Sequence, residues 1–150
     1  MHMIVFTGLV VVEKQQLALD LAQHALEQGQ RVAIIDHMAY RRFPEEALPH
    51  VAYHRLEGEL DDQLLPLLDA IDADRVFLLV SETTPPDVLF AQLDALQANR
   101  PIVQVQTLAL INTRTCDCFP HLREQLEMYA DVVVNLPVQL ADVLQQVTLA

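Results

Sequence analysis

The chain's one lysine, Lys14, follows Gly8 and precedes a helical stretch at the spacing of the pattern G-x-x-x-x-G-K-[ST]. In that pattern loop amides and the lysine surround the β- and γ-phosphates of a nucleotide, while the hydroxyl holds magnesium. Here Glu13 stands at the second glycine and Gln15 at the hydroxyl position. A carboxylate about 4 Å from a phosphate charge costs ~4 kcal/mol at an effective dielectric near 20. Micromolar binding is worth about −8 kcal/mol, so that single repulsion pushes affinity toward millimolar. The same residues also have a plain structural use, with Lys14 internal or solvated and paired with Glu13 or Glu82.

Two other groups carry metal-binding chemistry. Cys116, Cys118 and His121 place two thiols and an imidazole just before a helix, whose dipole lowers a thiol's pKa. No fourth ligand follows in sequence, and an N-cap at Asp117 with Pro120 in the first turn explains part of the segment without metal. Gly58-Glu59-Leu60-Asp61-Asp62 offers carboxylates suited to magnesium, calcium or manganese, but only three acids are local. Acids at a helix start are equally favoured by its dipole alone. His24, His37, His50 and His54 lack partners in sequence and read as surface or internally satisfied side chains.

These residues need a scaffold, and the chain alternates apolar, β-branched runs with segments of helical period. Strands are predicted at 3–7, 31–36, 75–80, 102–106 and 131–135, with a weaker sixth at 51–56. Helices are predicted at 15–28, 60–71, 87–98, 120–129 and 138–147. The fold class expected is therefore a three-layer α/β/α domain with a mostly parallel sheet of five or six strands, the first strand central. Residues 37–50 have no clear period and form a loop. The three glycines already have local uses: Gly8 at a strand exit, Gly29 at a helix end, Gly58 at a turn. None is left to build a phosphate cradle.

A length of 150 residues predicts one domain, residues 1–150, that folds without disulfides or metals. No stretch suits a membrane span or signal peptide, which points to the cytoplasm and to reduced thiols at Cys116 and Cys118. A net charge of −12 disfavours nucleic acid and anionic membranes as partners. A protein partner or self-association is compatible with it.

Four segments together resemble the CobW/HypB/UreG family of P-loop GTPases, which handle metals, and most of all its CobW branch. They are Thr7-Gly8-Leu9 through Lys14; Leu56-Glu57-Gly58-Glu59-Leu60-Asp61-Asp62, similar to a stretch ending G-C-x-C-C with an acid at each cysteine position; Val80-Ser81-Glu82-Thr83-Thr84-Pro85-Pro86-Asp87, similar to E-T-T-G-x-x-D-P; and Gln125-Leu126 followed by Ala130 to Asn135, similar to the last helix and strand leading into N-K-x-D. The resemblance implies a nucleotide site at Gly8, Glu13, Lys14, Gln15, Asp36 and Glu82. Each motif departs at its chemistry: Pro85 offers no amide hydrogen, and Leu136-Pro137-Val138 lacks the guanine-reading aspartate. The family's usual C-terminal domain is not expected in this sequence. A less specific similarity to ParA-type ATPases rests on the spacing from Lys14 to Asp36.

These departures lead us to expect a vestigial nucleotide site, no catalytic residues and no resident cofactor, with GTP and magnesium bound weakly if at all. The expected role is a non-catalytic binding or regulatory module in metal homeostasis. Two alternatives stand beside it: a divergent nucleotide-dependent metallochaperone, and a metal or thiol module built on Cys116, Cys118 and His121.

Overall fold

A computed structural model describes residues 1–39, 43, 50–112 and 120–147, with the backbone alone at positions 61 and 62. Six strands form one sheet: β1 (His2–Thr7), β2 (Val32–Asp36), β3 (Ala52–Arg55), β4 (Arg75–Leu79), β5 (Gln104–Ile111) and β6 (Val132–Asn135). Their order is β3-β2-β4-β1-β5-β6, and every pairing is parallel. Among the described residues there are five helices: α1 (Val12–Glu27), α2 (Asp61–Ala70), α3 (Pro86–Asn99), α4 (Pro120–Tyr129) and α5 (Leu140–Gln146). The three-layer, mostly parallel architecture expected from the alternating pattern is the one observed.

The inner strands read as unbroken apolar runs because helices cover them on both faces. Ile4 and Phe6 of β1 join Phe77 and Leu79 of β4 beneath Leu17, Leu21 and Ala25 of α1 and Val143 of α5. Met3 and Val5 face the other way, with Val76 and Leu78, against Leu64 and Leu68 of α2 and Leu89 and Leu93 of α3. Helix α4 lies beside α3, where the Phe90 and Tyr129 rings stand 5.5 Å apart. Helix α1 ends as its sequence demands: Gly29 takes φ +78°, its N–H bonds Leu26 O, and the N–H of Gln30 bonds Ala25 O. A left-handed residue after the last turn closes the orphan carbonyls in this way.

Two boundaries differ from expectation by three residues or more. Helix α1 starts at Val12 rather than Gln15, so residues at loop positions of the lysine pattern have become a helical first turn. The fifth strand is Gln104–Ile111 rather than 102–106. Ile102 is left 81% exposed, while Leu108 to Ile111 are buried. Pairing with β1 selects the longer run, since His2 to Thr7 match Gln104 to Ala109 in register. Strand β4 also lies between β1 and β2, so α1 crosses over it.

Phe77 sits at the centre of this sheet, fully buried and 6.0 Å from the Phe6 ring. Phe77→Ala should lower unfolding free energy by about 3–5 kcal/mol, read from urea midpoints at unchanged m-value.

Candidate functional site

The loop leaving β1 is fastened by two features that sequence alone presents as phosphate chemistry. Gly8 has φ +127°, and a side chain there would overlap the Leu110 carbonyl oxygen of β5. Its lack of a Cβ is thus required by strand packing, with no ligand needed to explain it. Lys14 is fully buried. Its ammonium donates to Gly8 O and to Val80 O, each at 2.9 Å. The expectation of pairing with Glu13 or Glu82 is corrected: the hydrogen-bond acceptors are main-chain carbonyls, while Glu82 acts on Lys14 only through its field. Burial lowers the Lys14 pKa to about 8, against the smaller upward pull of the Glu82 charge.

Around this lysine the structure brings Gly8, Glu13, Gln15 and Glu82 to one end of β1 and β4. Glu13 is exposed in the first turn of α1, where the helix dipole favours a carboxylate. Gln15 is buried in the same helix, and its backbone N–H bonds Val11 O at 3.2 Å within the turn. The space beside the loop is a cavity of about 140 Å³ walled by Thr7, Gly8, Leu9, Glu82, Pro85 and Leu122 among others. Ligand pockets run to roughly 300–1,000 Å³, and the charged wall here, Glu82, has the wrong sign for phosphate.

Asp36 lies two strands away on β2, fully buried. Its carboxylate accepts from Met38 N (3.0 Å), Phe43 N (2.8 Å) and Tyr53 Oη (2.7 Å), and Arg55 Nη1 stands 3.2 Å away. A carboxylate offers about four lone-pair sites, so these contacts saturate it as the organiser of the β2 exit. Tyr53 and Arg55 were missed in the sequence; their alternation on a short edge strand gives no hint of a shared partner.

A second cavity, of about 580 Å³, lies between the start of α1 and the loop after β6. Glu13, Leu17, Asp20, Leu136, Val138 and Leu140 are among its walls. Of the acidic run after β3, Glu59 is exposed, while the side chains of Asp61 and Asp62 lie outside the described residues. Among the described residues no three His, Cys, Asp or Glu side chains are placed to hold a metal ion. His121 is exposed at the start of α4, while Cys116 and Cys118 lie outside the described residues. His37, by contrast, is buried and satisfied, with Nε2 2.7 Å from Gly58 O and Nδ1 3.1 Å from Ser81 N.

Two substitutions test this assignment of Gly8 and Lys14. Gly8→Ala should cost at least about 3 kcal/mol of stability in urea unfolding, because it adds strain at a left-handed φ to a backbone clash. For Lys14, the unfolded side chain titrates near 10.4 and the folded one near 8. Below pH 8 both states hold the proton. Between the two values the unfolded state holds more, so the stability of the folded chain rises with pH. Relative to Lys14→Met, the wild type should gain about 2.5 kcal/mol between pH 7 and pH 10, measured as the difference of urea-derived free energies. Equal pH dependence in the two proteins would mean that Lys14 is solvated.

No protein-family model matches the chain, and no curated protein matches it. Solved structures do. The signal recognition particle receptor FtsY from Elizabethkingia anophelis, in complex with GDP, aligns at TM-score 0.59 and 16% identity over 89% of this chain and 48% of its own. The Zn(II)-bound YjiA GTPase from E. coli aligns at TM-score 0.59 and 17% identity over 97% of this chain and 53% of its own. FlhF complexed with GMPPNP and Mg(2+) aligns at TM-score 0.54 and 17% identity over 89% of this chain and 54% of its own. The chain spans about half the length of each. At such identities it is the backbone that is shared, and the chain has the P-loop GTPase fold.

Proposed function

We propose that this domain is a CobW-like P-loop module that has given up nucleotide hydrolysis and acts in the cytoplasm as a binding or regulatory unit, in metal homeostasis, through a protein partner or self-association. The observation that carries the reading is the enclosure of the Lys14 ammonium between Gly8 O and Val80 O. A lysine that serves phosphate must present its charge to the ligand, whereas this one is fully buried. The exposed Glu13 carboxylate at the helix start supports the same reading, because it already neutralises the dipole a phosphate would use. The saturated Asp36 carboxylate supports it as well, since magnesium would have to displace existing partners. No helix among the described residues is long and apolar enough to cross a membrane, which is compatible with a cytoplasmic module.

A second reading, a divergent nucleotide-dependent metallochaperone, is favoured by the likeness to Zn(II)-bound YjiA across 97% of this chain. Calorimetric titration with GTP, GDP and ATP in magnesium separates the two. The wild type should show no saturable binding below millimolar. Glu13→Gly with Gln15→Thr removes a repulsion of ~4 kcal/mol and restores a magnesium hydroxyl, so that variant should bind measurably better, though weakly and with little base selectivity. Micromolar binding by the wild type would replace the first reading with the second.

A further inference from the structure

The cavity of about 580 Å³ beside the start of α1 is separate from the cage around the Lys14 ammonium. Its floor is one face of a helix. Glu13, Gln16, Leu17 and Asp20 stand at i, i+3, i+4 and i+7 of α1, so they share a side and all four line the cavity. The two carboxyl-bearing residues are two turns apart, about 10 Å along the axis, with Leu17 between them. Leu136, Val138 and Leu140, from the loop after β6 and the start of α5, form the facing wall. All three are half-buried, and Val12 at the edge is 53% exposed. Small-molecule sites take up most of their ligand's surface, which walls this exposed do not. An apolar trough edged by charge is instead the anatomy of a protein contact surface.

Charge decides what kind of partner fits. Among the described residues no lysine or arginine lines the trough and neither Glu13 nor Asp20 is in an ion pair, although Asp20 accepts from Gln16 Nε2 at 3.0 Å. This chain's own described cations are committed elsewhere. Arg31 is paired with Asp72 and Asp74, Arg55 with Asp36, Arg100 with Asp69 and Arg123 with Glu127. Lys14 and Arg75 are buried. A second copy of a chain with net charge −12 therefore has no described basic surface to lay against these carboxylates, and an anionic partner is repelled. A segment carrying basic side chains around an apolar one is complementary to the trough in both charge and polarity.

We propose that this trough docks a segment of a partner protein in which two basic side chains about 10 Å apart flank a large apolar one. The apolar side chain lies against Leu17, Leu136 and Val138, and the two cations meet Glu13 and Asp20. The inference rests on the reading of the domain as a partner-binding module and names the surface and the chemistry of the partner.

The probe is acetyl-Lys-Leu-Leu-Lys-amide, whose lysines are three residues apart, about 10 Å in an extended chain. Calorimetric titration of the full chain at low salt should saturate at about millimolar or tighter. Replacing both leucines by serine, or both lysines by glutamate, should each weaken binding at least about tenfold. Glu13→Gln with Asp20→Asn, shown to be folded by its urea transition, should lose at least about tenfold as well. Asp94→Asn removes an exposed acid from α3, on the other face of the sheet, and should leave the affinity within about twofold. No saturation, equal binding of the serine or glutamate peptide, or equal losses in Asp94→Asn and the double variant would each overturn the proposal. So would equal affinity for 1,8-diaminooctane, which makes the trough a small-molecule site, or dimerisation of the chain that the double variant abolishes, which gives the face to a second copy. Micromolar GTP binding overturns the module reading whatever the peptide does, whereas failure of the peptide without GTP binding overturns this surface alone.

Discussion

A single buried ammonium ties the centre of this molecule together. Lys14 reaches from the start of α1 to the carbonyl of Gly8, at the end of β1, and to that of Val80, at the end of β4. These are neighbouring inner strands, and their exits must diverge for the chain to pass over the top of the sheet. Two carbonyls turned inward at such a point lose water and need donors. An ammonium supplies them, at the desolvation cost visible in its lowered pKa. The helix start, the loop and the sheet are thereby held to one geometry.

Gly8 answers to the same geometry. Gly8 lets the loop pass against Leu110 of β5, so Gly8 and Lys14 together lock three adjacent strands, β4, β1 and β5. Residues that elsewhere surround a phosphate thus have a structural function in a chain that carries Glu13 between them. A residue other than glycine at position 13 fits this geometry. Helix α1 extends back to Val12, and a carboxylate in its first turn is stabilised by the dipole.

The β2 exit is organised by a separate buried charge. Asp36 gathers two backbone N–H groups, a phenol and a guanidinium, and so anchors Met38, Phe43, Tyr53 and Arg55.

Much of this was legible in the residues. The run of Leu17, Ala18, Leu21, Ala22 and Ala25 specifies a helix with one buried face, and Gly29 specifies where it ends. Apolar runs such as Val76 to Leu79 specify strands covered on both sides, which in an alternating chain means a parallel sheet. These are local properties of period and stereochemistry, set within a few residues. The tertiary structure alone decided the rest, because the partners are distant in sequence. Val80 lies 66 residues from Lys14, and β4 enters the sheet between β1 and β2. The register of β5 is set by its pairing with β1 and β6, which favours Leu108 to Ile111 over the locally plausible Ile102. Whether a lysine faces a ligand or a carbonyl depends on which chain ends meet above it, and no local pattern encodes that meeting.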